Sequence, residues 1–435
     1  MEDPNARPNV LLITVDSLRA DAVATDEPAT PAVDRLAEEG IVYERAFAQG
    51  TFTTLSMPSL FTSRYPSSLP PVGVVEDMVG SAVTGVPTLT EALHDAGYAT
   101  AGFHSNPLLS DPFGFDEGFD TFDSQLPLAG VPRLPGRAKI LTDKLLRLVR
   151  KHAYLPGERL TDRALDWLDR RPGDRPFFCW LHYMDVHGPY QSKSGNAYAN
   201  KLRAERLWRK AVASPGDLTD TERERLRRTY REEVEYTDGC VGRLLDGLRR
   251  RGLLEETVCV LTADHGEEFG EHGRYSHPDH LYDEVVHVPL VVRRPDREPG
   301  RADHLVELVD VAPTVLEAVG AEPPAPFAGR RLSDPAPGHA ISEAGVAPTY
   351  KAGVRTDRWK YIRYGDREEL YDLRADPGEQ TDVAGNHPSV LADLSGTLDD
   401  HLATHGTHTG AEDVSDVGIE DGEARDRLED LGYLG

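Results

Sequence analysis

Short, continuous apolar runs alternate along most of the chain with longer segments in which apolar residues recur every three or four positions. The first pattern is typical of buried parallel strands and the second of amphipathic helices. Their alternation predicts βαβ units and an α/β fold. Strands are predicted at residues 10–15, 99–103, 177–183, 258–261 and 288–292, and helices at 31–39, 88–96, 221–250 and 309–319.

The last quarter of the chain has a different pattern. A Pro- and Gly-rich stretch at residues 321–338 predicts a linker. Three short β-type runs separated by polar turns follow between residues 352 and 373, and they predict a small antiparallel sheet. We therefore expect an α/β domain over residues 1–325, a small α+β subdomain over 340–410 and an acidic tail over 411–435.

The charge of the chain is strongly acidic. It has 74 acidic and 48 basic residues, a formal net charge of −26 and only eight lysines. Such a surface argues against a nucleic-acid partner and is typical of adaptation to high salt, so a halophilic source is our hypothesis. The locally basic exception is an amphipathic segment at residues 138–154. It is either a helix that covers the core or lids a site, or a surface for an anionic substrate or a membrane.

Cysteine usage and apolar segments indicate the compartment. Cys179, Cys240 and Cys259 are odd in number and far apart, which favours small buried hydrophobes over a disulfide framework or a zinc site. No segment approaches the roughly 18 apolar residues of a membrane span, and the N-terminus lacks a signal-peptide pattern. We expect a cytoplasmic protein without a transmembrane segment. No pattern indicates an oligomeric state.

Polar residues that suit metal binding follow three of the predicted strands. Asp16 follows the first strand, Asp185 and His187 follow the strand that ends near residue 183, and Asp264 and His265 follow the strand at 258–261. The carboxyl ends of parallel strands meet at one edge of a sheet, where open α/β sheets bind their ligands. We expect these side chains to form one site.

A cluster of hydroxyl residues, Thr51, Thr53, Thr54 and Ser56, precedes an apolar run. We expect a helix there with Thr54 or Ser56 near its N-cap, and its N-terminus would present backbone N–H groups to an anion. A metal held by carboxylates, a hydroxyl nucleophile and histidines beside the leaving group are what hydrolysis of a sulfate or phosphate ester requires.

Six motifs in this order give the chain its resemblance to a known family. It resembles the sulfatase family of the alkaline phosphatase superfamily from about residue 9 to residue 384. The resemblance implies a large doubly wound α/β domain with helices on both faces and a small C-terminal antiparallel sheet with a helix. The motifs are PNVLLITVDSLRAD (8–21), SLFTSRYP (59–66), HYMDVHGPY (182–190), TADHGE (262–267), LYDEVVHVPL (281–290) and ELYDL (369–373).

By position, the resemblance makes Asp16, Asp264 and His265 metal ligands. Two departures from the family pattern matter. Sulfatases usually carry a second Asp directly after the first, and this chain has Ser17 there. Their nucleophile is a formylglycine made from Cys or Ser, whereas the matching residue here is Thr53, which cannot form one. Thr53 resembles the nucleophile of the superfamily's phosphodiesterases and phosphotransferases, and its oxygen would also reach the metal.

The remaining site predictions keep alternatives open. Ser56 is a second candidate nucleophile with poorer spacing to the motif at 59–66. An oxygen-rich ligand set with one imidazole favours manganese, zinc or magnesium over calcium as the single divalent ion. His187 is expected to contact substrate or leaving group. His277 is expected to face the anion, although the spacing also allows His280.

Four further polar residues near these motifs have less certain roles. Arg19 and Asp21 are expected to form a structural ion pair. Asn106 could either reach the substrate or shape a turn. The role of His272 stays open.

The predicted function is metal-dependent hydrolysis of a sulfate or phosphate ester of a small molecule, glycan or lipid. One alternative is a phosphodiesterase or a phosphoglycerol-type phosphotransferase that uses Thr53 directly. The other is an inactive binding protein that retains the sulfatase fold, motivated by the missing formylglycine precursor.

Overall fold

A computed structural model describes most of the chain. The predicted basic segment up to residue 153 and nearly all of the acidic tail lie outside the described residues. Those residues are 7–23, 29–75, 78–124, 154–171, 173, 175–191, 197–277, 279–324, 327–335, 337–345, 350–406 and 415–416.

A mixed eight-stranded sheet forms the core of the fold, in the order β14-β2-β13-β9-β1-β8-β6-β7. Five neighbouring strands, from β9 to β7, are parallel, and β13 is antiparallel to both of its neighbours. The strands are β1 (Asn9–Val15), β2 (Ile41–Tyr43), β3 (Ala46–Phe47), β4 (Pro71–Val75), β5 (Met78–Ser81), β6 (Ala99–Phe103), β7 (Thr121–Asp123), β8 (Phe177–Tyr183), β9 (Thr257–Ala263), β10 (Glu268–Phe269), β11 (Tyr275–Ser276), β12 (His287–Val288), β13 (Leu290–Arg293), β14 (Gly300–Ala302), β15 (Val306–Glu307), β16 (His339–Ala344), β17 (Lys351–Thr356), β18 (Trp359–Tyr364), β19 (Arg367–Asp372) and β20 (Ser415–Asp416).

Helices flank this sheet, which confirms the predicted α/β fold. The long helix α6 shows why: its apolar residues recur at helical spacing and are buried, and Thr219 caps its first turn in a capping box with Glu222. The α-helices of the described residues are α1 (Pro31–Glu39), α2 (Thr53–Thr62), α3 (Leu89–Asp95), α4 (Gly157–Arg170), α5 (Ala197–Ala213), α6 (Asp220–Arg250), α7 (Asp283–Val286), α8 (Val311–Ala318) and α9 (Pro388–His405).

The central strands explain where the site lies. β1, β8 and β9 are buried along their whole length, and β1 pairs with both neighbours in parallel register. Strands buried on both faces carry continuous apolar runs, as the sequence has here. Their carboxyl ends therefore open side by side at one edge of the sheet.

Two details differ from the sequence-based expectation. The strand predicted at 288–292 is interrupted at Pro289: β12 pairs with β3 and β13 pairs with β9, in two different sheets. Proline lacks the N–H that a continuous ladder needs. The small antiparallel sheet has four strands, β16 to β19, because β16 begins directly after the predicted linker.

Two predictions about composition can also be compared with the structure. Cys179, Cys240 and Cys259 are buried thiols, as expected of small hydrophobes. In the part of the chain that the structure describes, no helix combines the length and the apolar character needed to cross a membrane.

Candidate active site

Two carboxylates meet at the carboxyl edge of the central strands. Asp16 directly follows β1 and Asp264 directly follows β9, and the last residues of these strands, Val15 and Ala263, are paired. His265 is the next residue. One ligand atom of each of Asp16, Asp264 and His265 lies within 4.8 Å of the others, and all three residues are fully buried.

Thr53, the predicted nucleophile, lies beside this cluster. Its Oγ1 donates to Asp264 Oδ2 at 2.8 Å and lies 3.3 Å from Asp16 Oδ2. Thr53 is the first residue of α2, with Phe52 as N-cap, so the prediction of an N-cap at Thr54 or Ser56 is wrong by two to four residues. The first N–H groups of a helix have no partner within the helix, so the positive end of α2 lies at the carboxylates.

Asp16 is oriented by several donors. His182 Nε2 lies 3.2 Å and Asn106 Nδ2 3.1 Å from Asp16 Oδ2, and the Ser17 hydroxyl donates to Asp16 Oδ1 at 3.0 Å. Burial would raise the pKa of Asp16, but the imidazole of His187 and the hydrogen bond from His182 lower it below its ordinary value. Asp16 is therefore held in its charged form. Asn106 Oδ1 also accepts from a turn N–H, so Asn106 both shapes its turn and reaches the site.

A hydrogen-bonded chain behind Asp16 was not foreseen from the sequence. Trp180 Nε1 donates to Thr14 Oγ1 at 3.0 Å, and this oxygen lies 2.9 Å from His182 Nδ1. Because an indole nitrogen only donates, the Thr14 hydroxyl hydrogen can point to Nδ1, which leaves the His182 proton on Nε2, facing Asp16. The sequence signal is a His two residues after a Trp within an apolar strand, which puts both side chains on one face.

These residues fit a divalent cation. His265 Nδ1 is 2.9 Å from the Gly266 carbonyl oxygen, which can only accept, so the lone pair of the neutral ring is on Nε2. That Nε2 is buried, has no hydrogen-bond partner among the described residues, and lies 3.5 Å from Asp264 Oδ2. Burial and the charge of Asp16 raise the pKa of Asp264. Two buried carboxylates beside an unused imidazole lone pair are the donor set of a metal site.

A pair of histidines borders the cluster. His187 Nε2 and His277 Nε2 are 3.1 Å apart, and His187 Nδ1 is 2.6 Å from the Gly188 carbonyl oxygen. The His277 ring packs edge-on against His265, with ring centroids 4.5 Å apart. Burial lowers the pKa of both His187 and His277, and the charge of Asp16 opposes that shift.

The residues between which the spacing left a choice have different neighbours in the structure. His280 pairs with Glu268 at 3.1 Å, whereas His277 contacts the site. Ser56 Oγ is buried without a hydrogen-bond partner among the described residues, so the contact with both carboxylates is a property of Thr53. His272 stacks on Tyr282, with ring centroids 3.6 Å apart.

Arg19 and Asp21 form the expected ion pair, with two hydrogen bonds between their side chains. Arg19 also contacts Glu271 at 2.9 Å. These contacts connect the loop after β1 to the segment that follows His265. The pair is structural, as the sequence suggested.

The fold and this edge cluster define an α/β protein with a buried carboxylate, imidazole and hydroxyl site. A family model described as Sulfatase matches residues 8–321, and one described as N-sulphoglucosamine sulphohydrolase, C-terminal, matches residues 270–405. The chain belongs to the sulfatase family.

Individual relatives are distant. Arylsulfatase K of Bos taurus is 29% identical over 292 residues, 55% of this chain and 53% of that protein, so the chain spans about half the length of this relative. Choline-sulfatase of Rhizobium meliloti is 25% identical over 432 residues, 87% of this chain and 83% of that protein. The solved phosphonate monoester hydrolase of Agrobacterium radiobacter has a TM-score of 0.69 at 22% identity, covers 93% of this chain and 97% of its own, and shares the fold.

Proposed function

We propose that this chain is a metal-dependent hydrolase of sulfate or phosphate-type esters in which Thr53 is the nucleophile. The observation that carries the proposal is the position of Thr53 Oγ1, 2.8 Å from one buried carboxylate and 3.3 Å from another at the start of a helix. A structural threonine in a core would not need two carboxylates. The proposal explains why a hydroxyl and two acids are buried together.

Asp16, Asp264 and His265 would hold the cation, with the Thr53 oxygen beside it. When bound, a divalent ion supplies positive charge that lowers the pKa of a hydroxyl and stabilises an anionic ester. This role explains why burial of two acids is tolerated. Manganese, zinc or magnesium suits the mixed oxygen and nitrogen set better than calcium.

The protein's own groups divide the remaining work. Thr53 Oγ1 directs its hydrogen to Asp264 Oδ2, so the oxygen lone pairs are free to attack the sulfur or phosphorus atom. A bond forms to Oγ1 as the bond to the alcohol oxygen breaks, and the departing oxygen needs a proton. His277, hydrogen-bonded to His187, is the group placed to supply it, because an anionic ester beside the pair favours its protonated form. Water then releases the esterified Thr53.

Relatives with sulfate and with phosphorus chemistry both occur. The names of the similar proteins include a choline-sulfatase and a phosphonate monoester hydrolase. Thr53 cannot become formylglycine, which favours direct attack and keeps a phosphodiesterase or a phosphotransferase as the alternative. The two differ in the acceptor, since a transferase passes the group from Thr53 to another alcohol instead of water.

The test combines one substitution with a substrate panel. Thr53→Ala should lose turnover by a factor of about 10³ or more, as expected when a nucleophile is removed. Thr62→Ala, at the other end of α2, is the matched control because Thr62 Oγ1 only bonds Pro58. The panel is 4-nitrophenyl sulfate, 4-nitrophenyl phosphate, a bis(4-nitrophenyl) phosphodiester and a phenylphosphonate monoester, each with Mn²⁺, Zn²⁺, Mg²⁺ or Ca²⁺.

The outcomes separate the alternatives. Turnover that is unaffected by Thr53→Ala would overturn the proposed role of Thr53. Product found on added glycerol instead of water would identify the transferase. A protein that binds these esters with no turnover under any metal would be the inactive binding protein. Assays in low and multimolar KCl also test the halophilic hypothesis, which full folding and activity without added salt would contradict.

A further inference from the structure

Trp208 packs directly on the loop that carries His187. It belongs to α5, is 5% exposed, and lies outside all six motifs that the chain shares with sulfatases. A Cβ at Gly188 would lie only 2.4 Å from the indole atoms Cζ2 and Cη2, so the ring contacts the Gly188 backbone at a distance that only glycine allows. Because Gly188 follows His187, α5 holds the peptide next to a residue of the candidate site.

The Gly188 carbonyl group determines which nitrogen of His187 carries a proton. Its oxygen lies 2.6 Å from His187 Nδ1 and can only accept a hydrogen bond, so the proton of the neutral ring is on Nδ1. The lone pair of His187 is therefore on Nε2, which lies 3.1 Å from His277 Nε2. His187 is the acceptor of this contact, and His277 Nε2 is the donor.

The direction of this hydrogen bond matters for the proposed reaction. His277 gives a proton to the departing oxygen there, and a hydrogen-bond acceptor on the other side of its ring supports that transfer. In the other tautomer, His187 would present an N–H to His277, and two donors would face each other. The position of the Gly188 peptide therefore decides whether His187 assists His277 or opposes it.

Aromatic neighbours fix Trp208 and the loop against each other. Tyr190 lies in the same loop as His187, and its ring meets the indole edge-on, with centroids 5.1 Å apart. The Tyr190 ring also packs against Tyr230 of α6, at 5.4 Å, and against Phe269 of β10, at 5.7 Å. Such pairs contribute both packing energy and a preferred orientation. Side chains from two helices and one strand thus enclose the loop.

We propose that Trp208 is a positioning residue, which holds the Gly188 peptide so that His187 presents its Nε2 lone pair to His277. The consequence for catalysis rests on the proposed function, because His277 is the proton donor there. The proposal goes further by giving α5 a role in the reaction, although this helix carries none of the three candidate metal ligands.

The test compares two substitutions of Trp208. Trp208→Leu removes the flat ring from Gly188, whereas Trp208→Phe keeps a ring there and is the conservative variant. Trp167→Leu is the matched control, because the indole of Trp167 packs on Phe177 at the start of β8, the end of the strand opposite His187. Chemical denaturation establishes that each variant is folded.

The first measurement is the tautomer of His187, which needs no substrate. Long-range ¹H–¹⁵N correlation spectra of protein labelled with ¹⁵N-histidine report it, and the signals that disappear in His187→Gln identify the ring. We expect a protonated Nδ1 in the wild type, in Trp208→Phe and in Trp167→Leu. In Trp208→Leu the proton should move at least partly to Nε2, and retention on Nδ1 alone would overturn the proposal.

The second measurement is the dependence of kcat on the leaving group. A 4-nitrophenyl ester releases a stable anion, whereas the 4-methylphenyl ester of the same acid releases a basic one that needs a proton. Trp208→Leu should lower kcat by about tenfold or more for the 4-methylphenyl ester, and by less than about threefold for the 4-nitrophenyl ester. Trp208→Phe and Trp167→Leu should keep the ratio of the two rates within about twofold of the wild type.

Gly188→Ala tests the same contact from the loop. Its methyl group would displace either the peptide or the indole, so the rate ratio should shift in the same direction as in Trp208→Leu. In the double variant Gly188→Ala/Trp208→Leu the methyl group has room, and the two effects should not add.

The two proposals fail separately. An equal loss on both esters in Trp208→Leu, or additive effects in the double variant, would overturn the role of Trp208 and leave the hydrolase proposal intact. Absence of turnover with every ester would overturn the hydrolase proposal, and the tautomer of His187 would still show whether Trp208 sets it.

Discussion

His182 offers a direct test of how Asp16 is held ready for a cation. Replacing His182 by Phe keeps a ring in the strand but removes the donor that lies 3.2 Å from Asp16 Oδ2. His182→Gln keeps an N–H near the position of Nε2 and serves as the rescue variant. We expect His182→Phe to weaken metal binding because the carboxylate loses a fixed orientation.

The size of the effect follows from the other donors. Asp16 Oδ2 also accepts a hydrogen bond from Asn106 Nδ2 at 3.1 Å and lies 3.3 Å from Thr53 Oγ1. His182→Phe therefore removes one of three contacts to this oxygen. A hydrogen bond to a charged group contributes about 1.5–3 kcal/mol, and the remaining donors put this loss at the lower end. About 1.5 kcal/mol corresponds to roughly tenfold in the dissociation constant of the metal.

Calorimetric titration of metal-free protein with Mn²⁺ and Zn²⁺ measures this constant without any substrate. Trp180→Phe is the control, because it removes the donor to Thr14 but leaves the contact between His182 and Asp16. We expect a change below about threefold there. Equal affinities in wild type and His182→Phe, or no recovery in His182→Gln with both variants folded, would refute the orienting role of this histidine.

Three further predictions concern folding stability, each read from chemical denaturation. A Cβ at Gly266 would lie 2.1 Å from the Glu284 carbonyl oxygen, so Gly266→Ala should destabilise the fold by at least about 2 kcal/mol, and an unchanged midpoint would contradict this close approach. Lys360 is 2% exposed and 2.7 Å from Asp283, so Lys360→Met should cost about 3 kcal/mol, whereas a neutral effect would mean that water screens the pair. Burial raises the pKa of Glu307 to about 8 from 4.5, so the folded state binds a proton that the unfolded state releases. The free energy of unfolding of the wild type should therefore fall between pH 4.5 and 8, by up to about 1.4 kcal/mol per pH unit. Glu307→Gln should remove that fall, and stability curves against pH that run parallel in the wild type and the variant would refute the prediction.

Much of the fold follows from local pattern. The bounds of α1, β6 and β8 were predicted to the residue. Burial of one helix face or of a whole strand requires apolar residues at set positions, and the sequence shows these positions directly. The resemblance to sulfatases supplied the positions of Asp16 and Asp264, and the paired ends of β1 and β9 show why two residues that are 248 positions apart in the chain meet. The start of α2 was misplaced because its N-cap is Phe52, which makes no side-chain cap. A cap without a polar side chain leaves no local signal in the sequence.

Contacts that depend on register between distant segments have no such signal. The bond between Thr14 and His182 exists because these residues are opposite each other in the parallel pair β1 and β8, and a shift of one residue would turn His182 to the other face. The pattern within a segment predicts which of its own residues are buried, but not which other segment packs against them. Prediction therefore reached the carboxylates, which follow the ends of separate strands, and missed the groups that orient them.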